Sequence, residues 1–594
     1  MKEAAASVSV SNDDLVLFRT VYFQGQEEMP TDKYNGLLAL QRIKGVDISY
    51  RNLSWDTISE VPECLAQILK RQIVDRINES AFYAIMIDES TDISVQKNLS
   101  ICVRYVVNGE SKTEFLANVK IDNAYAHTIV RHLVAKLESL NIDKGKMVSL
   151  ASMFGRKTGV GVQIKSKYSP FLVQTHCIAY RLNLASADAI KNLTCLKILR
   201  EKFGNLHRLF SNSSNNTEKL KQMQLVLNEP EISVKEPYAV RWMGLRNAVH
   251  AVHDCYPSIL ATLSALAADK NSTALGLHKY FAMYKVTLVI AFMADAHNVI
   301  GKLSCQLQKQ DILFSEIQSL ILDAALAQLD HFKNHDGECL NDMKSTYEIT
   351  DNKVNLKGEM LSHYNVDMDK QFKSLKNKYI TNLQSNIKLR FQKEDSKLFT
   401  FLSLLVEPCT SIDSEDSEIS DALENVAKIY GTQKITKVVH GHLQEDENLQ
   451  EEVTIIHPLL DGTKLKQEWP MIKGIINGAY SNLDTAYLCR KIIMLHSELV
   501  PNFSKLCRIV LCISVTSVEC ERVFSCQNRL KSKFRASLSP EKLDILTVIH
   551  NGPFWMEFNP EKAIQLWNAK KNRRKGRQGY KPRLETSSKQ QKLC

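Results

Sequence analysis

The sequence lacks the features that mark membrane, secreted and zinc-finger proteins. Its 594 residues contain no apolar run of about 18 residues, so a membrane-spanning helix is not expected. The N-terminal stretch MKEAAASVSVSNDD has no apolar segment of the kind that a signal peptide requires. The 14 cysteines are scattered, without a Cys-x-x-Cys pair or a Cys/His cluster at zinc-binding spacing. These absences favour an intracellular protein with reduced thiols and without a zinc finger in this chain.

Proline and glycine are also scarce, at 14 and 22 residues, and no repeat of fixed period is present. The composition, 44% hydrophobic and 24% charged, is that of an ordinary globular protein. One hydrophobic core cannot serve a chain of this length, so about two to four domains are expected.

The net charge of +10 is concentrated at the C-terminus. Residues 561–594 hold eleven lysines and arginines against two glutamates, a net charge of +9, which leaves +1 for the other 560 residues. The stretch KKNRRKGR (570–577) has the density of a nuclear localisation signal or a phosphate-contacting patch. A solvated terminal segment is the alternative. The basic residues concerned are Lys570, Lys571, Arg573, Arg574, Lys575 and Arg577.

An acidic cluster follows an apolar segment in FYAIMIDESTDIS (82–94). Carboxylates at the end of a buried strand are held rigidly and can bind a hard divalent cation. The same pattern also occurs at an ordinary solvated strand end with helix-capping residues. The segment alone does not decide between the two.

Residues 82–185 have the pattern of a mixed α/β layer. Asn108-Gly109 is a strong hairpin signal between the second and third of the predicted strands. The order, three antiparallel strands followed by alternating helices and strands, is that of ribonuclease H-like cores. Strands are predicted at 82–88, 98–109, 112–122, 146–152 and 171–185, and helices at 124–140 and 159–167.

From about residue 246 to 485, long apolar-periodic stretches predict a large all-helical domain. Its acidic segments, 414–424 and 444–452, are expected to be exposed loops or helix ends. Two further helices are predicted within 514–552, the second beginning at Ser539-Pro540. This helix pair has more apolar positions than it can bury, so either the helical domain or a second chain should cover the surplus. The positions are Val518, Val523, Phe524, Leu530, Leu538, Leu543, Ile545, Leu546, Val548 and Ile549.

Four segments follow one another along the chain: IMIDESTD (85–92), HCIAYRLNLA (176–185), Arg241-Trp242 and residues 517–546. In this order they resemble hAT-family transposases. IMIDESTD resembles the first acidic strand of that family, and HCIAYRLNLA its Cys-x-x-His-Arg-Leu-Asn-Leu segment. Arg241-Trp242 resembles its Arg-Trp motif, and the segment 517–546 resembles its C-terminal dimerisation region. The resemblance implies a ribonuclease H-like core interrupted by a helical insertion. It also implies phosphodiester chemistry by two divalent metals, held by acids on strand one, strand four and the last helix.

Only two of these three acids have counterparts here. Asp88 matches the first acid, with Asp92 as the fallback, and Glu521 matches the third. Val148 stands where the second acid belongs, and Asp143 lies five residues upstream of it. We therefore expect Asp88 and Glu521 to lie close together with Val148 facing them, as a vestigial site that holds a metal weakly or not at all. Met153, Gly155, Gly159 and Val160 set this register.

Two other departures from the family pattern and one further match bear on function. Tyr180 replaces the motif histidine, so His176 and Cys177 are interpreted as core residues. Residues 1–80 contain one cysteine and no histidine, so the family's N-terminal zinc finger is not expected there. Trp242 matches a base-stacking tryptophan, with a buried core tryptophan as the alternative.

Two functions remain open. The first is a domesticated, catalytically inactive hAT transposase without a cofactor. It would be a nuclear homodimer, or heterodimer with a related chain, that contacts other nuclear proteins and binds DNA non-specifically. The second is an active Mg²⁺- or Mn²⁺-dependent transposase or nuclease that uses Asp88, Glu521 and an unidentified second acid. The predicted domains are 1–80 (helical or irregular), 81–245 (first part of the core), 246–485 (insertion), 486–558 (dimerisation region completing the core) and 559–594 (basic tail).

Overall fold

The computed structural model is mixed α/β with a large, mostly helical part. It describes residues 10–49, 55–152, 158–237, 244–309, 312–318, 324–351, 353–391, 395–440 and 450–570.

A five-stranded mixed sheet forms the core, in the order β3-β2-β1-β4-β5. β1, β2 and β3 pair antiparallel, whereas β4 pairs parallel to both β1 and β5. The hairpin between β2 and β3 turns at Asn108 and Gly109, both at positive φ, as a two-residue turn requires. This topology confirms the predicted ribonuclease H-like order. The strands are β1 (Tyr83–Thr91), β2 (Lys97–Val107), β3 (Glu110–Lys120), β4 (Met147–Ser152) and β5 (Val173–His176).

Three helices follow these strands: α4 (Ala126–Ser139), α5 (Val160–Lys167) and α6 (Ile178–Ile190). The prediction of one strand over 171–185 is wrong, because β5 ends at His176 and α6 begins two residues later. Apolar residues at helical spacing, Ile178, Leu182, Ala185 and Ala189, are all buried on α6.

The insertion is mostly helical, but it also contains two small antiparallel sheets that the sequence did not predict. At its centre, α12 (Tyr284–Leu307) is long and apolar enough to span a membrane. However, 89% of the most apolar 18-residue stretch of this helix is buried within the fold. We therefore interpret α12 as a core helix.

The bounds of the other helices from α7 to α20 are as follows: α7 (Thr194–Ser211), α8 (Ser214–Val226), α9 (Gly244–His253), α10 (Tyr256–Ala268), α11 (Ser272–Phe281), α13 (Phe314–Gln318), α14 (Leu326–Asn334), α15 (Glu338–Ser345), α16 (Val366–Phe391), α17 (Asp395–Val406), α18 (Pro408–Asp413), α19 (Asp416–Tyr430) and α20 (Gly462–Ile475). The added strands are β6 (Tyr347–Thr350), β7 (Lys353–Leu356), β8 (Glu359–Leu361), β9 (Lys434–His440) and β10 (Gln450–Ile456).

Helices from both ends of the chain pack together on one face of the sheet. A single hydrophobic cluster joins Phe18 and Leu65 from the N-terminal helices to Val523, Ile549 and Trp567 from the C-terminal ones. The helices are α1 (Asn12–Gln26), α2 (Tyr34–Ile43) and α3 (Trp55–Glu79), together with α23 (Val518–Leu530), α24 (Pro540–His550) and α25 (Glu561–Lys570). The two preceding helices, α21 (Thr485–Leu495) and α22 (Pro501–Cys512), contribute instead to the large hydrophobic cluster of the insertion.

This packing refines one expectation and corrects another. The N-terminal helices cover part of the apolar surplus of α23 and α24: Ile549 is fully buried against Gly25 of α1, whereas Ile545 and Leu546 are only half-buried. The predicted basic tail also begins too early at residue 559, because α25 is a docked helix with Ala563, Ile564 and Trp567 buried. Residues 571–594 lie outside the described residues.

Candidate functional site

Asp88 lies near the end of β1, on the face of the sheet that the C-terminal helices cover. Its neighbours on that face are Met86 of the same strand and Ser100, its partner on β2. Six consecutive residues of β1 up to Asp88 are buried, and Asp88 itself is only 3% exposed. Its carboxylate accepts a hydrogen bond from the backbone N–H of Glu89 at 2.9 Å. The strand therefore ends on a buried acid.

α23 brings Glu521 to the same place from the far end of the chain. The segment leading into α23 is tied to β5 and α6: the Thr175 hydroxyl donates to the Ser514 carbonyl at 2.6 Å, and the Ile178 N–H donates to the Val515 carbonyl at 3.0 Å. One residue before Glu521, the Cys520 thiol donates to the Met86 carbonyl of β1 at 3.4 Å. These contacts fix the first turn of α23 against the strand that carries Asp88.

The two carboxyl groups lie within electrostatic reach of each other. Burial raises the pKa of Asp88 to about 7; the hydrogen bond from the Glu89 N–H opposes this rise, and the charge of Glu89 adds a smaller contribution to it. Burial also raises the pKa of Glu521 to about 8, with a further contribution from the charge of Asp88. The Oε1 atom of Glu521 is buried without a hydrogen-bond partner in the described part of the protein. The fold thus brings together two acids that are 433 residues apart in sequence.

Val148 does not complete this pair. It lies at a bulge in β4, between the residues that pair with Tyr83 and Ala84 of β1. Asp88 is four residues further along β1, which is about 13 Å at ~3.3 Å per residue. Val148 is fully buried in the large hydrophobic cluster of the insertion. The prediction that Val148 faces Asp88 and Glu521 is therefore wrong.

The absence of a second acid does not depend on this register. No aspartate or glutamate occurs from residue 144 to residue 187, which spans β4, β5 and the segment between them. Asp143 lies at the start of β4, at the opposite end from Asp88, and its side chain caps a short 3₁₀ turn by accepting from the Gly145 N–H at 2.8 Å. Asp143 therefore cannot supply the missing ligand.

Asp92, the fallback for the first acid, has a structural role. Its carboxylate forms an ion pair with Lys531 at 2.8 Å, and their side chains are 10% and 3% exposed. It also accepts from the backbone N–H groups of Ser94 and Gln96 in the turn between β1 and β2. The pair locks this turn to the end of α23. Sequence reasoning missed Lys531, because no pattern distinguishes it from the surrounding surface lysines and arginines.

His176 and Cys177 lie where β5 passes into α6. The Cys177 thiol is buried 3.5 Å from the Thr516 hydroxyl, and the ring of His176 lies 5.6 Å from that of Tyr180. Arg241-Trp242 lies outside the described residues, as do all the basic tail residues except Lys570.

A second cluster of possible metal ligands, Glu28, Cys526 and His550, lies between α1, α23 and α24. The Glu28 carboxylate already accepts two hydrogen bonds from Arg529 at 2.8 and 2.9 Å, and His550 Nδ1 lies 2.9 Å from the Gln26 carbonyl. Burial, together with the charge of Glu28, raises the pKa of Cys526 to about 12. A guanidinium in the ligand sphere and a protonated thiol fit a structural network better than a metal centre.

The residues around Asp88 do not fit a pair of divalent ions. Two metals about 3.5–4 Å apart need a carboxylate that bridges them and others that hold each ion. Asp88 and Glu521 could contribute oxygen ligands to one cation, which would also satisfy the unpartnered Glu521 oxygen. The third carboxylate has no counterpart on β4.

Two protein families match parts of the chain. Residues 491–552 match the hAT family C-terminal dimerisation region, which here comprises the end of α21 and α22 to α24. Residues 47–147 match the RNase-like domain described as ZMYM1/FAM200, which here runs from before α3 to the first residue of β4. The matches cover the strand that carries Asp88 and the helix that carries Glu521.

Proposed function

Because the chain is a hAT-transposase-derived protein with a ribonuclease H-like core, we propose that it has lost transposition chemistry and works as a domesticated, dimerising interaction protein in the nucleus. The observation that carries this proposal is the acid-free stretch from residue 144 to 187. Phosphodiester cleavage by two metals needs a carboxylate there, between those of Asp88 and Glu521.

The raised pKa values of the two remaining acids support the same proposal. Near neutral pH a large fraction of Asp88 and Glu521 is protonated, and a protonated carboxyl group is a poor metal ligand. An ion would have to displace these protons without the third ligand that makes binding favourable. What remains is a sheet and a C-terminal helix held together by packing, with the dimerisation region intact.

An assay for nicking of supercoiled plasmid in Mg²⁺ or Mn²⁺ tests whether metal-dependent phosphodiester cleavage has been lost. We expect the purified chain to cleave no faster than the Asp88→Ala/Glu521→Ala variant prepared in parallel, so that any residual nicking is contamination. Metal-dependent cleavage that disappears in each of the single variants Asp88→Ala and Glu521→Ala would instead establish the second candidate, an active nuclease.

The nuclear location is proposed from the basic stretch 570–577, since clusters of this density act as import signals. The variant with Lys570, Lys571, Arg573, Arg574 and Lys575 changed to alanine should remain cytoplasmic when expressed with a fluorescent tag. The control changes an equal number of exposed lysines on the insertion. An unchanged nuclear signal in the tail variant would place any import signal elsewhere.

Contact with DNA is proposed through the same tail, without sequence preference. The rest of the chain is nearly neutral, so the affinity would come from phosphate contacts and would fall steeply with salt. Binding to unrelated duplexes at 50 and 200 mM salt tests this. A clear preference for one sequence, or affinity that does not change with salt, would argue against it.

A further inference from the structure

A pocket lies where the core meets the insertion, between α6 and α12. One wall is formed by α6, including Leu182 and Ser186, and the opposite wall by α12, including His297 and Gly301. Arg200 of α7 and Arg246 of α9 line it from the remaining sides. No aspartate or glutamate is among the residues that line this pocket.

The two arginines have no counter-charge. Among the described residues, neither Arg200 nor Arg246 forms an ion pair with a carboxylate. One terminal nitrogen of Arg246 donates to Asn298 Oδ1 at a long 3.4 Å, and its Nε is buried without a hydrogen-bond partner among the residues that the structure describes. A guanidinium withdrawn from water costs free energy unless an anion or other acceptor compensates it. An anion between the two arginines would supply that compensation.

Glycine at position 301 lets the Arg246 guanidinium lie directly on α12. A Cβ atom at this position would come within 2.4 Å of Arg246 Nε, so any other residue would displace the side chain. The arginine is thus placed by close packing, and it does not extend freely from the surface.

The local field in the pocket is positive. Burial, followed by the charges of His250 and Arg246, lowers the pKa of His297 to about 3. His297 is therefore neutral at physiological pH, and its Nε2 lies 3.4 Å from the Tyr379 hydroxyl. The burial part of this shift disfavours a charge of either sign, whereas the part that comes from the charge of Arg246 favours a negative group.

The size of the pocket restricts the anion. It measures about 600 Å³ with its mouth, and the inner space in which the centre of a water-sized group can lie is only about 50 Å³. That inner space suits a group of a few heavy atoms, such as a phosphate, whereas a larger body would have to remain in the mouth against Leu245 and Ile300. A phosphate monoester carries between −1.5 and −2 charges at about pH 7 and so matches two guanidinium groups.

We propose that this pocket binds the phosphate group of a small phosphate monoester between Arg200 and Arg246. The site is separate from the Asp88–Glu521 pair and does not depend on whether that pair binds metal or on whether the chain dimerises.

Calorimetric titration of the full chain tests the site with inorganic phosphate, adenosine monophosphate, adenosine and a DNA duplex without terminal phosphates. Inorganic phosphate and the nucleotide should bind, and adenosine should not. Arg200→Gln and Arg246→Gln should each weaken binding about tenfold or more, because each removes a charge-assisted hydrogen bond. Arg208→Gln, an exposed arginine two turns further along α7 that contacts Asn205, is the matched control and should change the affinity less than about twofold.

Gly301→Ala provides a test that keeps both charges, since its Cβ would push the Arg246 guanidinium away from the pocket. It should weaken binding as Arg246→Gln does, and the melting temperature of each variant shows whether it is folded. The proposal would be overturned if titration with inorganic phosphate up to about 10 mM released no heat. It would also be overturned if the folded variants Arg200→Gln and Arg246→Gln bound phosphate as tightly as the wild type. Binding of the duplex alone, lost in both variants, would overturn the monoester assignment in favour of nucleic-acid phosphates.

Discussion

Asp88 and Glu521 are a pair of acids with raised pKa values. Asp88 is buried and Glu521 is half-buried, no cation from the described side chains pairs with either, and each keeps its proton to a higher pH than in water. In an unfolded chain the same groups titrate near their ordinary values of 3.8 and 4.5. The folded state therefore binds protons that the unfolded state has already released.

The first prediction concerns the dependence of stability on pH. From about pH 4 to 8 the folded protein holds more protons than the unfolded one, so the free energy of unfolding falls as pH rises through the folded pKa values. Asp88→Asn should flatten this dependence and raise stability at pH 8 relative to pH 5, by about 2–4 kcal/mol. Urea unfolding at both pH values, with a chelator present, measures it. An unchanged difference between the two pH values would show that Asp88 is ionised in the folded state.

Asp92→Asn should have the opposite effect on stability from Asp88→Asn, because the pKa of Asp92 is lowered by folding. Burial alone would raise the pKa of Asp92, but hydrogen bonds from Lys531 and from the Gln96 and Ser94 N–H groups outweigh it and lower the pKa. Removing this charge leaves Lys531 buried without its partner, at a cost of about 3–5 kcal/mol at pH 7. If Asp92→Asn stabilised the protein as Asp88→Asn should, the distinction between the two acids would be wrong.

The sequence was sufficient to find Asp88 and Glu521, because each lies in a motif with its own local pattern. It was not sufficient to place Val148. A β-bulge beside Tyr83 shifts the pairing of β4 by one residue, and motif spacing carries no information about such a shift. The ion pair between Asp92 and Lys531 was also beyond prediction, because 439 residues separate its partners.

At the scale of elements, the two chain ends form one packing unit. Trp567 of α25 is 4% exposed and meets Phe18 of α1 edge to face, with ring centroids 5.6 Å apart. Tyr22 of α1 stacks on Phe558 at 4.0 Å, and Gln26 donates to the Pro553 carbonyl. The end of the sequence that looks most like a solvated tail thus begins with a helix of the core.

The second prediction tests this docking of α25. Trp567→Ala should destabilise the protein by about 3–5 kcal/mol, since it leaves a cavity between α1 and α3. Gln565→Ala, on the exposed side of the same helix, should change stability by less than about 0.5 kcal/mol. Urea denaturation of both variants gives the comparison. Equal, small effects would mean that α25 does not pack against the core.

The sheet order and the helical character of the insertion were predictable, whereas the packing of the N-terminal helices was not. Strand alternation and the Asn108-Gly109 turn determine local structure within a few residues. α1 can pack closely against α24 because residue 25 is glycine, whose lack of a side chain leaves room for Ile549. A surplus of apolar residues shows that something must cover them, but it does not identify the covering segment.

At the scale of the whole molecule, the match to the hAT dimerisation region supports assembly with itself or a related chain. The face of α23 and α24 that carries Val523 and Ile549 is already occupied by the N-terminal helices, so we expect the interface elsewhere in that region. Four exposed apolar residues cluster on α21 and the turn after it: Tyr487 (55% exposed), Met494 (52%), Leu495 (61%) and Leu499 (60%). Tyr487 and Met494 border the β2–β3 turn, where Gly109 approaches Arg490 and Met494.

Charges beside this patch suit a two-fold axis. Lys491 lies three residues before Met494, and Glu498 lies three residues after Leu495. Within the described part of the chain neither has an ion-pair partner, and both are exposed. When two copies of α21 run antiparallel across an axis between Met494 and Leu495, Lys491 of each copy lies near Glu498 of the other. A two-fold interface requires such self-complementarity.

The last prediction is a homodimer held by this patch. Light scattering after size exclusion at micromolar concentration should give twice the chain mass of 67.5 kDa, and Leu495→Asp/Leu499→Asp should give the monomer. Lys491→Glu should weaken the dimer, and adding Glu498→Lys should restore it, because the swapped charges pair again across the axis.

Leu225→Asp, at an equally exposed leucine on α8, is the control and should leave the dimer intact. Ile549→Asp should unfold the protein and not dissociate it, because Ile549 is buried against α1. A wild-type mass of one chain would contradict the homodimer, and a dimer that survives Leu495→Asp/Leu499→Asp would place the contact away from α21.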